Sequence, residues 1–171
     1  MRIKMLSIAL FFITAATALA EPVSVLIRQA MSGLVVKSSE TPYSRTIEKM
    51  LIGYDTNGSA RVGIAQREIK SFKPITGVVI IHRTEDGFVL HEAHFPNISK
   101  IKKAKDRQQV QTILKSFKNI PFDPHAEKSA VDGLTGATRY GIQTSGYLNY
   151  LARRTAREME AAPDWDIVNT L

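Results

Sequence analysis

Two β-hairpin signals occupy the centre of the chain and limit the folds that it can adopt. Thr56-Asn57-Gly58-Ser59 separates two strand-like runs, and Glu85-Asp86-Gly87 separates two more. Asn-Gly and Asp-Gly pairs accept the positive φ angles that tight hairpin turns require. The β-branched run at 78–81 is typical of a central strand covered on both faces. We therefore predict an antiparallel sheet of about four strands, at 47–55, 61–68, 75–84 and 88–95.

Segments with helical periodicity flank these strands. Apolar residues recur at helical spacing in 21–33, in 103–117 and after residue 138, which predicts three helices packed on the sheet. The fold class is therefore α+β. We expect 38–43 to be a polar connector and 119–127 a proline-containing loop. We also expect the tail from residue 163 to fray, although Trp165 suggests that part of it docks on the fold. Gly146, inside the last predicted helix, suggests close packing at that position.

The N-terminus has the pattern of an export signal. Arg2 and Lys4 precede an apolar or small run at 6–19, and Ala18-Leu19-Ala20 is typical of a cleavage site after Ala20. The run is short for a membrane span, which takes about 20 apolar residues. We predict a signal peptide at 1–20, one domain at 21–171, and a periplasmic or otherwise exported protein. An uncleaved membrane anchor is the alternative.

Composition excludes several kinds of site and partner. The 171 residues include no cysteine, which excludes disulfides, thiolate metal sites, iron–sulfur clusters and c-type haem attachment. Removal of Arg2 and Lys4 leaves 21 basic against 16 acidic residues, a net charge of +5. The densest basic run is 100–105. It has no interleaved aromatic residues, so we do not expect nucleic acid as a partner and interpret the run as a solvated helix start, with a binding patch as the alternative.

Three histidines fall in the second predicted hairpin. With a two-residue Asp86-Gly87 turn, His82 would lie opposite His91, whereas His94 would point to the other face of the sheet. Because zinc usually takes at least three protein ligands, we interpret these residues as ordinary strand histidines and predict no metal site.

The stretch from Asp132 to Thr138 precedes the last predicted helix. It combines a carboxylate, two glycines and two hydroxyls, in the order Asp132, Gly133, Leu134, Thr135, Gly136, Ala137 and Thr138. The free N–H groups and positive dipole end of a helix favour an anion such as phosphate at such a place. A simple helix cap uses the same residue types.

The string Asp-x-x-Thr-Gly-Ala-Thr resembles the flavinylation motif of the FMN-binding domain family. That family includes the C subunit of the sodium-pumping NADH:quinone reductase and the G subunit of Rnf complexes. The resemblance implies that Thr138 carries FMN through a phosphoester bond, installed by a flavin transferase that uses FAD and magnesium. It further implies that residues 132–137 surround the FMN site at the start of the C-terminal helix. Tyr140 could also reach the cofactor, or be a core tyrosine.

One departure from the family pattern concerns the ring of the flavin. The family often has a Glu-Thr-Pro-Gly type string after the corresponding hairpin, where this chain has Glu92-Ala93-His94-Phe95-Pro96-Asn97. The non-covalent flavin contacts therefore stay open. Core packing is the expected use of Phe95.

The resemblance implies an exported electron carrier rather than a stand-alone enzyme, because the flavin supplies the redox chemistry. Its partners would be the transferase and redox proteins, some of them in a membrane. We expect no catalytic residue in the chain itself. A flavin-dependent reductase of a small substrate and a flavin-free binding module are the alternatives.

Overall fold

The computed structural model describes residues 23–43, 45–70, 74–126 and 139–169. Seven strands form one sheet, in the order β6-β5-β4-β3-β2-β1-β7, and all neighbouring strands are antiparallel. The strands are β1 (Val35–Tyr43), β2 (Thr46–Tyr54), β3 (Ala60–Lys70), β4 (Pro74–Thr84), β5 (Gly87–His94), β6 (Ile120–Phe122) and β7 (Asp166–Ile167). The helices are α1 (Val23–Ala30), α2 (Ala104–Lys115) and α3 (Arg139–Ala161). The α+β class is thus confirmed.

The sheet has more strands than the four predicted. The four predicted strands correspond to β2–β5, and three further segments, for which no strand was predicted, also belong to the sheet. The predicted polar connector belongs to β1, which pairs with β2 along its whole length. The predicted proline-containing loop includes β6, and the tail includes β7. β6 and β7 have only three and two residues, so their strand geometry depends on the neighbours with which they pair rather than on local preference.

The first hairpin turn forms where the Asn-Gly pair predicts it. The carboxylate of Asp55 accepts the backbone N–H groups of Asn57 and Ser59, both at 2.9 Å. Gly58 has a φ angle of +76°, which favours glycine at this position. In the second hairpin, by contrast, Thr84 pairs with Gly87, so the turn residues are Glu85 and Asp86 rather than Asp86 and Gly87.

Helices cover both faces of the sheet. α2 and α3 pack on one face, where Leu148 and Leu151 of α3 are fully buried. α1 packs on the other face against a smaller cluster that includes Val78 and Ile80. Burial of such an aliphatic side chain contributes about 1.5–3 kcal/mol, so the larger cluster under α2 and α3 provides most of the hydrophobic stabilisation.

The two ends of the sheet differ in what they carry. We call the end where β1 joins β2, β3 joins β4 and β5 finishes the lower end. The upper end carries the turns Asp55–Ser59 and Glu85–Asp86. Tyr147 of α3 packs on Gly77, and Met159 packs on Gly63, which lies four residue pairs nearer the upper end. Helix α3 therefore begins at the lower end and runs towards the upper end.

Within the parts of the chain that the structure describes, none of the helices has the length and apolarity that a bilayer crossing demands. The predicted signal peptide, residues 1–20, lies outside the described residues.

Candidate functional site

The predicted flavin site includes the start of α3, which is the part of that site that the structure describes. The predicted flavin-binding residues Asp132, Gly133, Leu134, Thr135, Gly136, Ala137 and Thr138 lie outside the described residues. Tyr140 belongs to the first turn of α3, but its side chain is not among those described. The structure therefore establishes that a helix of 23 residues begins at Arg139, directly after Thr138 in the sequence.

A buried ionic cluster fixes the middle of α3 to the sheet. The carboxylate of Glu48 in β2 accepts a hydrogen bond from the Arg67 guanidinium of β3 at 3.0 Å. Its other oxygen lies 2.7 Å from Nε of Arg154 in α3. Side chains of Glu48 and Arg67 are only 2% and 7% exposed. A buried carboxylate is costly unless it is paired with a positive charge. Glu48 therefore needs at least one of the two neighbouring guanidinium groups, Arg67 or Arg154.

Two tyrosines of α3 complete this cluster. The Arg67 guanidinium lies over the rings of Tyr147 and Tyr150, at 4.9 and 5.1 Å from their centroids. The Tyr147 hydroxyl donates a hydrogen bond to the backbone carbonyl of Arg67 at 2.7 Å. Burial raises the pKa of the Tyr147 hydroxyl above its ordinary value, so this group stays a neutral donor. The contacts hold α3 in one position along β3 and β4.

Sequence reasoning did not single out this cluster, although the strand pattern contains a signal for it. Glu48 precedes Met50 and Ile52 at alternate positions of β2, and both apolar residues face α3. Arg67 likewise follows Ala65 with the spacing of one face. A charged residue in register with buried apolar neighbours indicates a buried ion pair.

Phe95 belongs to the core of the same region. It is 4% exposed and lies near Gly77, where a Cβ would come within 3.2 Å of its ring. The core-packing interpretation of Phe95 is therefore confirmed. On the same surface, Asn97 accepts the backbone N–H of Thr76 at 2.8 Å, which ties the end of β5 to the start of β4.

The three strand histidines lie on one face of the sheet, contrary to the prediction. The pairing of β4 with β5 shifts between Ile80 and Ile81, so His91 is an extra residue in β5. His82 pairs with Val89, yet its ring stacks on that of His91, with 4.4 Å between the centroids. His94 pairs with Val78 on this same face. The bulge therefore explains why strict alternation fails here.

Two of these histidines, His91 and His94, each have a polar side-chain partner. Nδ1 of His91 lies 2.9 Å from the side-chain oxygen of Asn119, and Nε2 of His94 lies 2.9 Å from Glu92. Burial, and then the proximity of His91, lowers the pKa of His82. Among the described residues, no group of three or more histidine, cysteine, aspartate or glutamate side chains is arranged to hold a metal ion.

A cleft of about 540 Å³ lies at the upper end. Apolar rings of Phe88 and Phe122 line it, with the carboxylates of Asp86, Asp123 and Glu160 around them. Because α3 rises about 1.5 Å per residue, this cleft is about 30 Å from the start of that helix. It is therefore not part of a site at Thr138.

Comparison of the chain with protein-family models, with curated proteins and with solved structures gives no match.

Proposed function

We propose that the protein is an exported electron carrier with FMN phosphoester-linked to Thr138. The sequence from Asp132 to Thr138, followed directly by α3, is the observation on which this proposal depends. The proposed carrier belongs to the same class as the FMN-binding domains that the motif resembles. A flavin transferase using FAD and magnesium would attach the cofactor.

The start of α3 is chemically suited to a phosphate. The first turn of the helix has no acidic residue, so no carboxylate on it would repel the anion. Free N–H groups and the positive end of the helix dipole favour negative charge at this place. Thr138 supplies a hydroxyl immediately before the helix, and Gly136 would permit close approach of the backbone. Asp132 and Thr135 would order the segment around them.

The chain would position the cofactor, and the flavin when bound would pass one or two electrons. The buried cluster of Glu48, Arg67 and Arg154 fixes the helix that begins directly after the proposed attachment residue. Absence of cysteine from the sequence agrees with a redox role based on a flavin. The protein itself would provide orientation and electrostatic environment, and no catalytic residue is proposed.

Two alternatives predict different behaviour. A reductase of a small substrate would need a pocket beside the flavin, and the cleft at the upper end lies too far from α3's start to serve. A reductase would also show reoxidation of its reduced flavin by one particular acceptor. A flavin-free binding module would remain colourless when a flavin transferase is co-expressed.

Flavin fluorescence on denatured protein tests the proposal. The full chain and a Thr138→Ala variant are each co-expressed with a flavin transferase in an exporting host. Fluorescence should stay with the wild-type band after denaturation and be lost from the variant. Thr41→Ala, which removes an exposed hydroxyl on β1, is the control and should retain the signal. Equal fluorescence in wild type and Thr138→Ala would place the flavin elsewhere.

A further inference from the structure

Four lysines form an exposed cluster between the end of β5 and the first turn of α2. They are Lys100, Lys102, Lys103 and Lys105, and we call them the lysine cluster. The segment begins with a short 3-10 turn at Ile98–Lys100, and Lys103 is the N-cap residue of α2.

The backbone that presents the lysine cluster is fixed. Ile101, between the lysines, is 3% exposed and belongs to the main core. The guanidinium of Arg107 donates hydrogen bonds to the carbonyls of Ile101 at 2.6 Å and Lys102 at 2.9 Å. A preformed surface loses less conformational freedom on binding than a mobile one does.

Helix stability does not explain these charges. The positive dipole end of a helix favours acidic residues and disfavours lysine, and the first turn of α2 has one acidic residue, Asp106. The four lysines at or before this turn therefore weaken the helix slightly. The interpretation as a solvated helix start accounts for their exposure but not for this unfavourable placement.

The charge of the lysine cluster is not compensated within the described part of the chain. Lys37, Lys49 and Lys118 each form an ion pair with a carboxylate, respectively Asp164, Glu40 and Glu92. None of the four cluster lysines has such a described partner. A positive surface of this kind is available to an external anion.

The lysine cluster lies at the same end of the sheet as the start of α3. Asn97 connects the 3-10 turn to Thr76 at the beginning of β4. Gly77, the next residue, packs against Tyr147 in the first half of α3. The acidic cleft with Asp86 and Glu160 is at the upper end. An acidic partner would therefore approach the lysine cluster rather than the acidic cleft.

We propose that the lysine cluster is a docking surface for an acidic protein surface. The docking itself depends on the described charges and not on the flavin. It rests on the proposed function only in that the docked protein would exchange electrons at Thr138. Salt should weaken such a complex strongly, because the lysines are exposed.

Two observations favour a protein over the other polyanions. Membrane-surface segments combine basic residues with exposed apolar ones, whereas the large exposed apolar residues that the structure describes lie elsewhere, at Val35, Ile47, Tyr150 and Ile167. Single-stranded nucleic acids bind to aromatic side chains that stack on their bases, and 98–107 contains no aromatic residue.

Binding of a fluorescein-labelled peptide of alternating Glu and Gly residues, followed by anisotropy at low ionic strength, tests this proposal. The full chain should bind the peptide, and Lys102→Glu/Lys103→Glu should bind it at least about tenfold more weakly, because each reversal turns a close attraction into a repulsion. Arg28→Glu/Arg83→Glu makes the same change in net charge at exposed positions outside the cluster and should bind like wild type. Lys100→Glu/Lys105→Glu is a second cluster variant, and thermal unfolding confirms that every variant is folded.

Each possible result of the binding experiment supports or overturns the docking proposal. Equal weakening in cluster and control variants would show a net-charge effect only and overturn the proposal, as would no measurable binding. Binding to phosphatidylglycerol vesicles without binding to the peptide would identify a lipid surface instead. Anisotropy of the labelled peptide reports only on docking, and the mass of the same sample shows separately whether Thr138 is modified. Failure of docking and failure of the flavin proposal can therefore be distinguished.

Discussion

At the scale of single residues, the stability of the fold depends on the buried carboxylate of Glu48. Glu48 lies on the face of β2 that packs against α3, and it pairs with Arg67 and Arg154. A buried ion pair adds little net stability compared with apolar residues of the same size. Loss of one partner is nonetheless costly, because the remaining charge is left buried.

Glu48→Ala should therefore lower the free energy of unfolding by about 3–5 kcal/mol. Glu40→Ala is the matched control, because Glu40 forms an exposed pair with Lys49. Its loss should cost about 1 kcal/mol or less. Urea unfolding measures both values. Similar losses in the two variants would contradict the assignment of Glu48 as the central charge of a buried cluster.

The pH dependence of stability should contain a contribution from His82. Its pKa in the folded state lies below the ordinary value of 6.5, so the unfolded chain binds a proton more readily. The stabilising contribution is complete above pH 6.5 and is lost as the pH falls from 6.5 towards the folded pKa. Asp55 and Glu92 also have lowered pKa values, but they act in a more acidic range, below about 4.5.

Urea unfolding between pH 5 and 7 would reveal this contribution. Wild-type stability should decline on acidification, and His82→Leu should flatten that decline. An unchanged slope in His82→Leu would show that another group causes the decline.

At the scale of elements, glycines show where α3 touches the sheet. A Cβ on Gly77 would meet the ring of Tyr147 at 2.6 Å, and one on Gly63 would meet Sδ of Met159 at 2.5 Å. A Cβ on Gly146, within α3, would have no neighbour within 4 Å among the residues that the structure describes. The expectation that Gly146 marks close packing was therefore wrong. The close contacts are made by glycines of the strands.

Gly146→Ala should raise the free energy of unfolding by about 0.5–1 kcal/mol, because alanine has the higher helix propensity. Gly77→Ala should lower it, because the new methyl group displaces Tyr147 from its contact with Arg67. Thermal unfolding of both variants measures the two signs. A stabilising Gly77→Ala would contradict the described packing of α3 on β4.

The elements that could be predicted are those with local signals. Asn57-Gly58 fixes the β2–β3 turn, and helical spacing of apolar residues predicts all three helices. β1 was missed because its second half, with Glu40 and Pro42, is polar and lies near the edge of the sheet. The bulge at His91 is equally invisible, since it depends on pairing with β4. Of the candidate site, the sequence predicts the helix after Thr138. The alternation of β2 indicates that Glu48 is buried, but its pairing with Arg67 and Arg154 depends on how β2, β3 and α3 pack.

At the scale of the whole molecule, the lower end brings together three features. α3 begins there, the lysine cluster is exposed there, and the Glu48 cluster holds the helix in place. The flavin proposal and the docking proposal both concern this end. If both hold, charge would bring a partner to the end that carries the cofactor.

The intact mass of the mature protein tests the central claim most directly. The full chain is purified from an exporting host with an active flavin transferase, beside Thr138→Ala. The account predicts that the wild-type mass rises by one FMN less one water, that fragmentation places the added mass on Thr138, and that the variant shows no increase. An unmodified wild-type mass under these conditions would contradict the account, and the Thr-Gly-Ala-Thr string would then be an ordinary helix cap.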